Sequence, residues 1–185
     1  MKHQILLLVA TILSGMAAEA DPVPFDQQQE LLGISFQVTS LNQAVENTVR
    51  ILPKGLQIDN SAIEMDVQGE VTRIEVADIN ADYSPEIYIY LLEAGSDKRM
   101  ALLAFSSNNK KSLSGIYLPA LSETQGADKG YCGNDVMAAV ESVFMRRFPL
   151  CNKAERLTDK TRQLQYKLRR GEAGLQLKLD KMMEY

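Results

Sequence analysis

The sequence predicts an all-β protein, an antiparallel β-sandwich or barrel-like single domain. Three observations carry this reading. Short apolar segments alternate with polar residues at period two, clusters of Gly, Pro, Asp and Ser divide them at hairpin spacing, and no long amphipathic helical pattern intervenes.

In chain order, Lys2 and His3 give a positive start, Ile5 to Leu13 is apolar, and Ala18-Glu19-Ala20 sets small residues at cleavage spacing. The apolar run is about half of the roughly 20 residues that a membrane span needs. Residues 1–20 are therefore expected to be a signal peptide, leaving a soluble exported chain from about Asp21. Residues 21–30, "DPVPFDQQQE", hold two prolines and three glutamines with little to bury, so a mobile lead-in is expected before a domain over 31–185.

Strands are expected in "GISFQV" (33–38), "AIEMDV" (62–67), "EVTRIEVADI" (70–79), "EIYIYLLE" (86–93), "ALLAF" (101–105), "RQLQYKL" (162–168) and "LQLKLDK" (175–181). Turns are expected in "ADYSPE", "EAGSDKR" and "RRGEAG". Segment 135–148, "DVMAAVESVFMRRF", fits both periods. Val136, Val140 and Val143 or Phe144 suit a helix, favoured by Ala, Met and Glu, while Val136, Ala138 and Val140 followed by Val143, Met145 and Arg147 suit strands. In "EIYIYLLE" the alternation puts Tyr88 and Tyr90 on one face, as core or as a self-association patch.

Composition narrows the chemistry. His3 is the only histidine, it lies in the expected leader, and Trp is absent. A chain without histidine has no Ser-His-Asp or Cys-His pair, no usual zinc site and not the commonest general base. An enzyme is therefore not expected, nor a cofactor. The net charge of −4 argues against nucleic acid or an anionic membrane as partner and accords with a cationic protein. Cys132 and Cys151, an even pair in an exported chain, are expected to form a disulfide.

Two segments draw attention. In "DINADYSPE" the oxygens of Asp78, Asn80 and Asp82 recur at alternating positions as in a calcium loop, with Glu86 in ninth place. Tyr83 stands where such a loop wants Gly and Ile89 where it wants a bidentate Glu, and Asp and Asn also make turns unaided. Calcium is thus an alternative to a plain turn here, and paired carboxylates for glycoside hydrolysis among Asp78, Asp82 and Glu86 are a third reading.

The other segment is "KKSLSGIYLP". Ser114 offers a compact hydroxyl, Gly115 a close backbone approach or a positive φ, and Tyr117 a large amphipathic ring, with Lys110 and Lys111 making the flank positive. A bend between strands explains the same residues.

Together, "EVADINADYSPEIYIYLLEAGS", "KKSLSGIYLP", "RRFP", "TRQLQYKL" and "DKMMEY" resemble the bacterial periplasmic inhibitors of i-type (invertebrate-type) lysozyme, over about 31–185. The resemblance implies a periplasmic antiparallel β-sandwich, often a homodimer, whose S-G-x-Y loop enters the lysozyme cleft. That motif matches Ser114, Gly115, Ile116 and Tyr117, with Ser114 and Tyr117 as principal contacts and Lys110 and Lys111 as flanking ones. The cysteine-bearing stretches around Cys132 and Cys151 depart from the family pattern. If the pair forms, it ties the Gly130 turn to the segment after Pro149.

Overall fold

The computed structural model describes residues 22–95, 98–124 and 126–185. The expected leader lies outside them, as do Ser96, Asp97 and Gln125. Among the described residues, twelve strands fall into two sheets. β1 (Phe25–Leu31), β2 (Ile34–Ser40), β3 (Asn47–Lys54) and β4 (Ile63–Val67) form an antiparallel meander. β5 (Glu70–Ala77), β6 (Glu86–Leu92), β7 (Met100–Ser106), β8 (Ser114–Tyr117), β9 (Val136–Val140), β10 (Val143–Cys151), β11 (Leu157–Arg170) and β12 (Leu175–Glu184) form the second sheet, in the order β5-β6-β7-β8-β12-β11-β10-β9. That sheet curls into a nearly closed barrel. The β-class expectation holds, and the domain combines a sandwich with a barrel.

β6 belongs to both units. Its sequence EIYIYLL is buried on both faces. Tyr88 and Tyr90 enter the barrel and stack on Phe144, with ring centroids at 5.3 and 6.4 Å. Ile87, Ile89 and Leu91 face the other way and pack with Phe36, Val38, Val49 and Ile51 of the meander. The two tyrosines thus share a face, and that face is core.

The expected lead-in over 21–30 is corrected: from Phe25 onward it is strand β1, fully paired with β2. Leu32 and Gly33, at φ 54° and 80°, make the two-residue left-handed turn that a tight hairpin requires. β1 is an edge strand, so its polar residues can face water while Phe25 anchors it. Gln29 also bridges the units. Its side-chain amide donates to the Ile74 carbonyl and accepts the Val76 N–H, at 3.1 and 3.0 Å. Asn42 treats Val71 the same way, at 3.2 and 2.6 Å. Two side-chain amides therefore occupy backbone groups on the outer edge of β5.

Segment 135–148 resolves as the hairpin β9–β10, turning at Glu141-Ser142. Helix propensity loses here because Phe144 and Phe148 alternate into the barrel core. Arg146 shares that face. It is buried against Asp135 at 2.7 Å, with side-chain exposures of 9% and 0%. The Tyr131 hydroxyl donates to the other Asp135 oxygen at 2.5 Å, so the ion pair sits in a hydrogen-bonded frame.

Arg162 of β11 is also buried. It donates to the carbonyls of Gly126, Ala127 and Lys129 at 2.7 to 2.9 Å and pairs with Glu184 at 2.5 Å. The expected disulfide is present, joining Cys132 to Cys151 with a Cα separation of 6.0 Å. As anticipated, it ties the Gly130 turn to the end of β10, where the Cys151 N–H also donates to the Gly130 carbonyl at 2.7 Å.

Asp135→Ala strands the Arg146 charge and is expected to lower unfolding stability by about 3–5 kcal/mol, read from urea denaturation. Replacing both cysteines by serine removes a loop closure and is expected to lower stability by about 3 kcal/mol in the same assay.

Candidate functional site

The S-G-I-Y quartet is strand rather than loop. Ser114 and Gly115 pair antiparallel with Ser106 and Phe105 of β7, and Ile116 and Tyr117 pair parallel with Leu175 and Gln176 of β12. Four residues thus join the β5-β6-β7 half of the sheet to the β12-β11-β10-β9 half. A strand this short keeps much of its outer side open.

Alternation along the strand divides the quartet. Ile116 is buried in the barrel core, so its side chain is not a surface group. Gly115 and Tyr117 project to the opposite side, and Tyr117 is 52% exposed. Ser114, on the Ile116 side, is half-buried and lines a cavity with Asn108 and residues 170–175. Gly115 takes no positive φ, and a Cβ built there meets nothing within 4 Å. The glycine therefore leaves open space over the strand; the backbone does not require it.

Gly115 and Tyr117 lie at the rim of a mainly apolar cleft of about 380 Å³, walled by Met65, Leu103 and the β11–β12 turn at 171–174. The Tyr117 hydroxyl donates to the exposed Glu123 carboxylate at 2.6 Å, and this bond pushes the phenol pKa up. Sequence spacing offered no sign that Glu123 or the expected turn at 171–174 would stand at this site, because chain reversal brings both there.

The lysines behave differently from one another. The Lys110 ammonium donates to the Leu32 carbonyl at 2.8 Å, holding the 107–111 turn against the meander. The same turn accepts N–H bonds from Gln57, Ile58 and Asp59 at 2.8 to 3.0 Å. Lys111 is exposed. The segment before Ser114 is thus braced by backbone contacts.

The 78–86 turn lies nearby, its Pro85 carbonyl accepting the Ser107 N–H at 3.0 Å. Asp78 accepts the N–H groups of Asp82 and Tyr83, both at 3.0 Å, and Asp82 accepts that of Ser84 at 2.8 Å. Asn80 donates to Asp82 at 2.8 Å. Ala81 and Tyr83 sit at φ 54° and 62°, so the sharp turn forms without the glycine that the sequence lacks. Glu86 reaches this turn from the start of β6. One of its oxygens accepts the Ile79 N–H at 3.0 Å, and the other is buried without a partner. Burial pushes its carboxyl up to about 8; the Ile79 N–H opposes this, and the charges of Asp78 and Asp82 add to it.

No protein-family model matches the chain, and no curated protein or solved structure shows significant similarity to it.

The open space over Gly115 has a direct consequence. Gly115→Val should change stability by less than about 0.5 kcal/mol, as an ordinary surface substitution does. Gly69→Ala, whose Cβ would stand 2.2 Å from the Leu92 carbonyl at φ 128°, should melt at clearly lower temperature in the same scan.

Proposed function

We propose that this protein is a periplasmic inhibitor of i-type lysozyme that uses the Ser114–Tyr117 strand and its surroundings as the contact surface. The observation that carries the reading is Tyr117: a half-exposed phenol already donating to a carboxylate, beside a glycine that keeps the strand open to close approach. The resemblance of the S-G-x-Y quartet to the motif of that inhibitor family supports it.

The chemistry is complementary. A lysozyme cleft presents a protonated and an ionised carboxyl group, hydrated until a substrate arrives. Tyr117 can exchange Glu123 for such a carboxylate while its ring occupies space that a sugar would fill. Ser114 supplies a second hydroxyl at the strand's other end, and Lys111 a flanking charge. No glycosidic bond is offered, so the complex blocks peptidoglycan hydrolysis without turnover. The net charge of −4 favours encounter with a cationic lysozyme and acts more on the association rate than on final affinity. The expected leader and the disulfide accord with export. A homodimer, implied by the resemblance, is part of the same proposal.

The purified mature protein is expected to inhibit an i-type lysozyme and to spare c-type and g-type enzymes; inhibition of none overturns the reading. Replacing Ser114 and Tyr117 together by alanine is expected to raise the inhibition constant about thirtyfold, the scale of a single hot spot, with melting temperature nearly unchanged. Undiminished inhibition by that variant would remove the strand from the mechanism.

A further inference from the structure

We propose that Asp78, Asp82 and Glu86 form a calcium site that staples the β5–β6 turn. One oxygen from each carboxylate can be chosen so that all three lie within 4.8 Å of one another. Calcium–oxygen bonds run about 2.3–2.6 Å, so two opposed bonds span about 5 Å, a spacing compatible with one ion shared by the three carboxylates. Magnesium, at about 2.0–2.1 Å, demands a stricter octahedron and gives up its waters reluctantly, so a turn of carboxylates suits calcium better.

Glu86 is what separates this cluster from an ordinary acidic turn. Its side chain is wholly buried, at 0% exposure, and one carboxylate oxygen has no hydrogen-bond partner. The turn's own hydrogen bonds explain Asp78, Asn80 and Asp82 without any ion, but they leave this oxygen unsatisfied. A buried polar atom in that state is strongly unfavourable unless something arrives to meet it.

No basic side chain does so: among the described residues, none of the five ion pairs includes Asp78, Asp82 or Glu86. Arg169 and Arg170 line a neighbouring cavity with Asn80 and Asp82 but form no ion pair with the three carboxylates. A hard divalent cation held with Asp78 and Asp82 would give Glu86 the partner that its buried oxygen lacks. The exposed Asn80 amide oxygen stands beside the cluster as a further donor of the right kind.

The site's position gives the ion a structural task. Asp78 follows the last residue of β5 and Glu86 is the first of β6, so one cation closes the hairpin that opens the double-faced strand. The Pro85 carbonyl carries the restraint to Ser107, at the start of the turn that leads into Ser114.

Calcium titrated into the chelator-treated full-length mature protein tests this directly, with no lysozyme present. The expected result is measurable heat by calorimetry and a melting temperature raised by about 5 °C at saturating calcium. Asp82→Asn, an exposed change that keeps the turn's shape, should weaken calcium binding at least about tenfold while the ion-free protein melts as before. Glu86→Gln should abolish binding. Absence of both heat and thermal shift in the parent overturns the site, as does binding that persists unchanged in Asp82→Asn. Equal affinity for magnesium overturns the calcium assignment. Since lysozyme takes no part in the measurement, its outcome is independent of the inhibitor proposal.

Discussion

Burial of β6 on both faces is the constraint on which the rest of the molecule depends. Most strands in a sandwich give one face to a core and one to water. In EIYIYLL the tyrosines serve the barrel while the isoleucines and Leu91 serve the meander, so one strand is the wall between two cores. A one-residue slip would exchange the two sets and fit neither side. Glu86, at the start of this strand, is drawn into the interior by the same packing, which explains why a carboxylate is buried there at all.

Two cores sharing a wall leave the outer edge of β5 to be managed. A regular ladder from β5 to β9 would close the barrel, but Gln29 and Asn42 already hold backbone groups of β5 on that side. The seam to β9 is made instead by side chains. Arg73 donates to the Met137 carbonyl, and Glu75 accepts the Ala139 N–H at 3.1 Å and the Tyr90 hydroxyl at 2.6 Å. Edge groups are thereby covered without extending the sheet, a known protection against unwanted strand pairing. Tyr90 links the seam to the barrel interior, with Arg73 lying 3.7 Å above its ring.

In the middle of the sheet, at β8, the order is reversed: backbone pairing makes the join and side chains are left for the surface. β8 is too short to bury both faces, so Ile116 is spent on the core while Tyr117 remains outside. The proposed lysozyme contact and the proposed cation site share this region of the fold through the Ser107–Pro85 bond. Both draw on groups that the core does not consume: a phenol at the rim of a cleft and a carboxylate oxygen with no partner.

β2 and β11 were legible because their period-two alternation is a direct image of one buried face, and β6 as a short apolar run rich in Ile and Tyr, whereas β3, which alternates as cleanly, went unread. The disulfide was legible, since an even pair of cysteines in an exported chain has few other fates. Edge strand β1 was hidden by its glutamines, which face water or bond to β5 rather than pack, and the β9–β10 hairpin by residues whose helical preference only the barrel overrides. The S-G-I-Y quartet was visible as residues, but its form as a joining strand was not, because its partners are Phe105 and Ser106 on one side and Leu175 and Gln176 far along the chain on the other. The acidic turn was visible too, whereas the isolation of one Glu86 oxygen was not. Local pattern determines which face of a strand is apolar; only the packed structure decides which polar atoms find partners, since those come from distant segments.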